Sequence, residues 1–148
     1  MEALFVENEL HIQASIEAVW KTLTDPAITP KYMFGCEIVS DWQPEAPLLW
    51  RGVQDGIVYV SGVLKELAAP HRFAFTTYDP QASYPDIPEN HLTVTYSLEQ
   101  KDGGTLVKVT QGDYRTVAEG QKRYDDTMAG GGWSSVLDQV KQIAEARE

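Results

Sequence analysis

Residues 129–141 read AGGGWSSVLDQVK, and this stretch decides the fold because it lies at the centre of a predicted C-terminal helix. Its apolar residues recur at the spacing of one helical face, namely Trp133, Val136, Leu137 and Val140. Extended in both directions, the pattern predicts one long helix from near Gln121 or Lys122 to near Ala146. Its three glycines oppose that helix, since each costs about 1 kcal/mol relative to alanine in a helix interior. We expect close helix–sheet contact, a kink or space for a ligand to explain them.

The chain before this helix has the pattern of strands and turns. Strands are predicted over Leu4 to Ile12 and near residues 35–42, 48–54, 57–67, 72–78, 91–99 and 105–112. Proline, glycine and aspartate mark the breaks, and no predicted strand interior contains a proline. Because the connections between consecutive strands are short, we expect antiparallel neighbours.

Two short helices are predicted between the first and second strands. The apolar residues Ile16, Val19, Trp20 and Leu23 form one helical stripe. Ser15 precedes this stripe as a plausible N-cap, and Asp25-Pro26 starts a second helix that Gly35 ends. The element order predicts an α+β fold in which a seven-stranded, curved antiparallel sheet wraps on the long C-terminal helix. We expect one domain over residues 1–148.

Composition and charge exclude several classes of partner. The chain has 148 residues with 12 basic and 22 acidic side chains, a net charge of −10. Such a surface repels nucleic acid and anionic lipid headgroups, so neither is predicted as a partner. No apolar run approaches the roughly 18 residues of a membrane span.

The N-terminal residues lack a signal-peptide pattern, and the single cysteine, Cys36, cannot form an intrachain disulfide. A cytoplasmic location is therefore expected.

The predicted fold and four sequence stretches resemble a known superfamily. The stretches are IQA with AVWKTLTDP (residues 12–26), GVLKELAAPHRF (62–73), GGTLV (103–107) and GWSSVLDQVK (132–141). They resemble the START-like, or helix-grip, superfamily, and within it the branch named after the activator of heat-shock protein 90 ATPase. The resemblance implies a cavity between the curved sheet and the C-terminal helix. One departure is DWQPEAPLLW at residues 41–50, where many members of the branch carry a double glycine.

The candidate site consists of aromatic and small residues, because no catalytic motif is present. The sequence has no G-x-S-x-G, H-E-x-x-H or phosphate-binding loop, and its three histidines are not spaced as metal ligands. No catalytic residue, metal or cofactor is therefore predicted. The predicted pocket residues are Trp50, Tyr59, Phe75, Tyr96, Met128, Gly131 and Gly132. Residues 78–90 form a long patternless loop that we interpret as a possible gate, with residues 113–120 facing it.

Three functions follow from these patterns. The first is the binding of a small, largely apolar molecule without obvious chemistry. The second is the binding of a protein partner, such as a chaperone, through the acidic N-terminal half of the chain, in which residues 1–50 carry eight acidic and two basic side chains. The third is an enzyme resembling polyketide cyclases or hydrolases, which needs Tyr59, Tyr96 and a carboxylate to converge. The chain is expected to be a monomer or a homodimer.

Overall fold

Seven antiparallel strands form one sheet in the computed structural model, which describes residues 3–147 and the side chains of residues 3–146. The strands are Val6–Ile12 (β1), Cys36–Ser40 (β2), Pro47–Gly52 (β3), Val58–Ala68 (β4), Arg72–Thr77 (β5), Leu92–Lys101 (β6) and Gly104–Gly112 (β7). Their order across the sheet is β1-β7-β6-β5-β4-β3-β2. Each strand from β2 to β7 therefore pairs with its neighbour in the chain, and β1 completes the far edge beside β7. The predicted α+β helix-grip fold is confirmed.

Three α-helices accompany the sheet within the described residues: Ile16–Thr24 (α1), Gly120–Ala129 (α2) and Ser134–Arg147 (α3). The predicted N-cap of α1 is confirmed, since the Ser15 hydroxyl accepts the backbone N–H of Ala18 at 3.1 Å. The second short helix after β1 is a 3-10 turn at Thr29–Lys31. Proline at position 30 removes one backbone donor, so this segment forms a turn and not a longer α-helix.

The C-terminal helical segment is two helices and not the continuous helix that its periodicity predicts. It breaks at the glycines, where Gly131 and Gly132 adopt φ angles of +88° and +62°. A Cβ atom on Gly132 would lie 2.5 Å from Asn8 Oδ1 and 2.9 Å from Val6 Cγ1. Asn8 holds this turn by accepting the backbone N–H of Trp133 at 2.9 Å. The glycines therefore allow a turn that contacts β1 closely, which was one of the expected explanations.

The core lies between the concave face of the sheet and helices α1 and α3. Phe73, Phe75 and Tyr96 are the largest fully buried side chains of the sheet. They meet Leu137 and Val140 of α3 in one cluster. In contrast, α2 has no buried residue. The helical cover of the sheet is thus firmly packed along α3 and loosely packed along α2.

Candidate ligand-binding cavity

A cavity of about 910 Å³ lies between strands β2 to β7 and the junction of α2 with α3. Its volume falls within the roughly 300–1,000 Å³ that small-molecule sites occupy. Trp50 and Phe75 form part of its wall, with ring centroids 6.0 Å apart, and both side chains are buried. The cavity can therefore bury an apolar surface against aromatic rings.

An irregularity in strand pairing turns two consecutive side chains toward the cavity. Trp50 of β3 pairs with Val60 of β4, whereas the next residue, Arg51, pairs with Val58. Tyr59 is left unpaired between them, which is the arrangement of a β-bulge. Adjacent residues of a regular strand point to opposite faces, but here Tyr59 and Val60 both line the cavity.

The mouth of the cavity carries exposed apolar side chains. Phe34 is 83% exposed, Val53 55% and Tyr59 44%, and all three line the cavity. Phe34 also has a φ angle of +52°, a left-handed conformation that bulky residues rarely adopt. Phe34 thus lies at the entrance in spite of both its solvent exposure and its strained backbone conformation.

A carboxylate and a phenol form a hydrogen-bonded pair on this side of the cavity. The Tyr59 hydroxyl donates to Asp55 Oδ2 at 2.5 Å. This hydrogen bond lowers the pKa of Asp55 and raises the pKa of Tyr59. At neutral pH the pair therefore consists of a charged carboxylate and a neutral phenol.

The opposite side of the cavity carries an amide and a guanidinium. Gln111 Oε1 accepts the Tyr114 hydroxyl at 2.9 Å and the Trp133 indole N–H at 3.1 Å. Arg123 of α2 donates to the carbonyl oxygen of Ala118 at 3.2 Å, and its guanidinium lies 5.1 Å from the centroid of the Tyr84 ring. Both Gln111 and Arg123 line the cavity.

The two segments interpreted as a gate contact each other directly. The backbone N–H of Ala118 donates to Asn90 Oδ1 at 2.9 Å, and Asn90 Nδ2 donates to the carbonyl oxygen of Pro85 at 2.9 Å. The Tyr78 hydroxyl donates to the carbonyl oxygen of Tyr84 at 2.5 Å. The loop at residues 78–90 therefore borders the cavity as a hydrogen-bonded unit, and its opening as a gate stays a prediction.

The structure brings three of the seven predicted pocket residues together at the cavity: Trp50, Tyr59 and Phe75. Among the predicted residues outside the lining, Met128 is 51% exposed on α2. Gly131 and Gly132 form the turn against β1, as described above. Tyr96 is fully buried, and its ring centroid lies 6.0 Å from that of Trp133.

Tyr96 also has an unusual hydroxyl. It is buried, and none of the residues that the structure describes hydrogen-bonds to it. Desolvation by burial raises the pKa of this phenol strongly. Of the polar groups that the enzyme interpretation requires, Tyr59 does meet a carboxylate, Asp55, whereas Tyr96 does not join them at the cavity.

Several lining residues had no signal in the sequence. Gln111 and Arg123 are isolated polar residues on separate elements, and only the fold brings them to one cavity. Trp133 was recognisable as a helix-docking residue but not as a cavity residue.

Throughout residues 3–147, no group of three His, Cys, Asp or Glu side chains could hold a metal ion. No helix of this described part is long and apolar enough to cross a bilayer.

Comparisons with solved structures show the same fold over nearly the whole chain. Protein ChR145 from Cytophaga hutchinsonii is 30% identical, with a TM-score of 0.73 over 99% of this chain and 98% of that chain. The Aha1 dimer from Colwellia psychrerythraea is 17% identical, with a TM-score of 0.70 over 95% and 96%. CalU16 from Micromonospora echinospora is 19% identical, with a TM-score of 0.69 over 97% and 66%.

Sequence comparisons give one family. A comparison with curated proteins finds no match. The profile of the family described as "Activator of Hsp90 ATPase homolog 1-like protein" matches residues 13–145. Because this match covers most of the sequence, and the fold agrees with it, the chain belongs to the family of Activator of Hsp90 ATPase homolog 1-like proteins.

Proposed function

We propose that this chain binds a small, largely apolar molecule in the cavity between its sheet and its C-terminal helices. The observation that carries the proposal is the cavity of about 910 Å³ with an aromatic wall. Trp50 and Phe75 would contact the apolar body of the ligand, and Tyr59 would contact it near the mouth. Each 100 Å² of apolar surface that the ligand buries would contribute about 2.5 kcal/mol before the costs of association.

A neutral fluorescent probe tests this proposal. We expect N-phenyl-1-naphthylamine to bind and to accept energy from Trp50 and Trp133, which both line the cavity. In the variant Val60→Phe the added ring would occupy cavity space, so the affinity should fall by at least about tenfold, equivalent to 1.4 kcal/mol.

Val63→Phe is the matched control, because Val63 lies on the same strand but does not line the cavity. Its affinity for the probe should equal that of the unmodified chain. Absence of probe binding, or equal losses in the two variants, would contradict a ligand site in this cavity. Thermal midpoints of both variants should be measured first, so that loss of binding is not confused with loss of fold.

A protein partner is the second proposed function, favoured by the family match and by the similarity to the Aha1 dimer. The acidic residues 1–50 would form the docking surface for a basic partner. The test is co-purification with an Hsp90-type chaperone at low salt, together with the ATPase rate of that chaperone. An unchanged rate and no retained complex would remove this proposal.

In either function we propose a reducing, cytoplasmic setting, consistent with the free buried thiol of Cys36.

A further inference from the structure

We propose that the ligand of this cavity carries an anionic head group, and that Arg123 binds it. The inference rests on the proposed small-molecule function. Among the described residues that line the cavity, Arg123 is the only basic side chain. The ligand class is therefore an amphipathic anion, with an aromatic or aliphatic body and one carboxylate, sulfonate or phosphate group.

The partners of Arg123 leave most of its donors available. Among the described residues, its guanidinium hydrogen-bonds only to the carbonyl oxygen of Ala118, and its Cζ atom lies 5.1 Å from the centroid of the Tyr84 ring. It forms no ion pair with any carboxylate that the structure describes. The adjacent cation behaves differently, since Lys122 pairs with Asp126 at 2.8 Å. A guanidinium has five N–H donors in a planar fork that suits bidentate binding of an anion.

The position of Arg123 on its helix adds to this argument. It lies in the first turn of α2, which itself contains no acidic residue and follows the acidic N-cap residue Glu119. The helix macrodipole places partial positive charge at this end, so a cation here is unfavourable by itself. A bound anion would interact favourably with both the guanidinium and the dipole.

Gln111 supplies a second donor on the same side of the cavity. The Trp133 indole nitrogen can only donate, so the Gln111 atom that it contacts must be the amide oxygen. This fixes the orientation of the amide and leaves its NH2 group for another acceptor. No described residue accepts a hydrogen bond from that group.

The opposite side of the cavity would repel an anion. Asp55 is charged at neutral pH because its hydrogen bond with Tyr59 lowers its pKa. An anionic head at this end would meet that carboxylate. The ligand should therefore bind with its head toward Arg123 and its apolar body along Trp50 and Phe75.

Two probes with the same aromatic skeleton test the inference. 1-Anilinonaphthalene-8-sulfonate is the anionic probe, and N-phenyl-1-naphthylamine lacks the sulfonate. We expect both to bind the unmodified chain and to displace each other. Arg123→Gln should weaken binding of the sulfonate about 10- to 100-fold, the usual effect of losing a charge-assisted hydrogen bond, and leave the neutral probe unchanged.

Three further variants make the test specific. Arg123→Lys keeps the charge and should retain most of the preference for the sulfonate. Lys122→Gln is the matched control, because it removes an adjacent cation that is already paired and does not line the cavity. Gln111→Glu keeps both acceptor contacts but replaces the NH2 donor with negative charge, so it should weaken only the sulfonate. This variant tests the inference without altering α2.

The outcomes distinguish the inference from the proposed function. If Arg123→Gln weakens both probes equally, or neither, the anionic-head inference is overturned while the cavity remains a ligand site. If neither probe binds the unmodified, folded chain, both proposals fail together. Selective loss of the sulfonate in Arg123→Gln and Gln111→Glu, with Lys122→Gln unchanged, supports the inference.

Discussion

Two buried tyrosines differ in one respect, and this difference gives a sharp prediction of stability. Tyr96 is fully buried, and none of the described residues hydrogen-bonds to its hydroxyl. Tyr32 is 3% exposed, and its hydroxyl donates to the carbonyl oxygen of Leu23 at 2.7 Å. That carbonyl lies in the last turn of α1, where no helical N–H can reach it. Replacing each tyrosine by phenylalanine therefore removes one hydroxyl that makes no hydrogen bond to the described residues (Tyr96) and one that makes a hydrogen bond (Tyr32).

The expected free-energy changes have opposite signs. A buried polar group without a partner costs about 1–3 kcal/mol, so Tyr96→Phe should raise the free energy of unfolding by about 1 kcal/mol after the loss of packing by the hydroxyl oxygen. Tyr32→Phe leaves the carbonyl oxygen of Leu23 without its donor, which should lower the free energy of unfolding by about 1–2 kcal/mol. For a chain of this length, each kcal/mol shifts the thermal midpoint by about 2–4 °C.

Urea unfolding and thermal melting of the three proteins provide the assay. The slopes of the urea transitions should agree, so that the midpoints can be compared directly. Most single substitutions destabilise by about 1 kcal/mol, which makes a stabilising change in a buried aromatic residue informative. A Tyr96→Phe variant less stable than the unmodified chain by about 1 kcal/mol or more would refute the reasoning. It would mean that the hydroxyl has a partner, such as an internal water molecule.

Three more predictions follow from the turn and from the charged groups. Gly132→Ala should destabilise the fold by about 1–3 kcal/mol because of its positive φ. Gly130→Ala should be neutral or stabilising in thermal melts, because its φ is negative and its Cβ would make only ordinary van der Waals contacts. Burial raises the pKa of Tyr32 and Tyr96, so stability should hold below pH 10, the ordinary phenol pKa, and fall above it in pH-dependent urea titrations. The Arg115 hydrogen bond lowers the pKa of Asp113 to about 2, so its contribution should be lost as pH falls from about 4 to about 2, and Asp113→Asn should abolish that part of the acid transition.

Much of the fold could be predicted because its determinants are local. The strands alternate and end at turn residues, and α1 has both an apolar stripe and the N-cap Ser15. The break between α2 and α3 could not be located, because the 3.6-residue period of the apolar positions continues across the glycines. The chain turns there because φ is positive at Gly131 and Gly132. Asn8 on β1 holds this turn through a hydrogen bond with the backbone N–H of Trp133.

The candidate site was less predictable because its determinants are not local. Residues 57–60 are apolar or aromatic on both strand faces, so the alternation could not indicate which side chains point inward. The bulge opposite Trp50 decides this, and it depends on pairing between two strands. Gln111 and Arg123 come from β7 and α2, and nothing in their own neighbourhoods connects them. Tyr96 was chosen for its position in mid-strand, but it is fully buried in the core and does not line the cavity.

The glycine turn gives the two C-terminal helices different thermodynamic roles. Since α2 has no buried residue, whereas α3 contributes Val136, Leu137 and Val140 to the core, we expect the free energy required to unfold α2 alone to be below that of the whole chain. Its amide protons should therefore exchange with solvent much faster than those of α3. A ligand could enter by local unfolding of α2, and its affinity would then include the cost of refolding that helix around it.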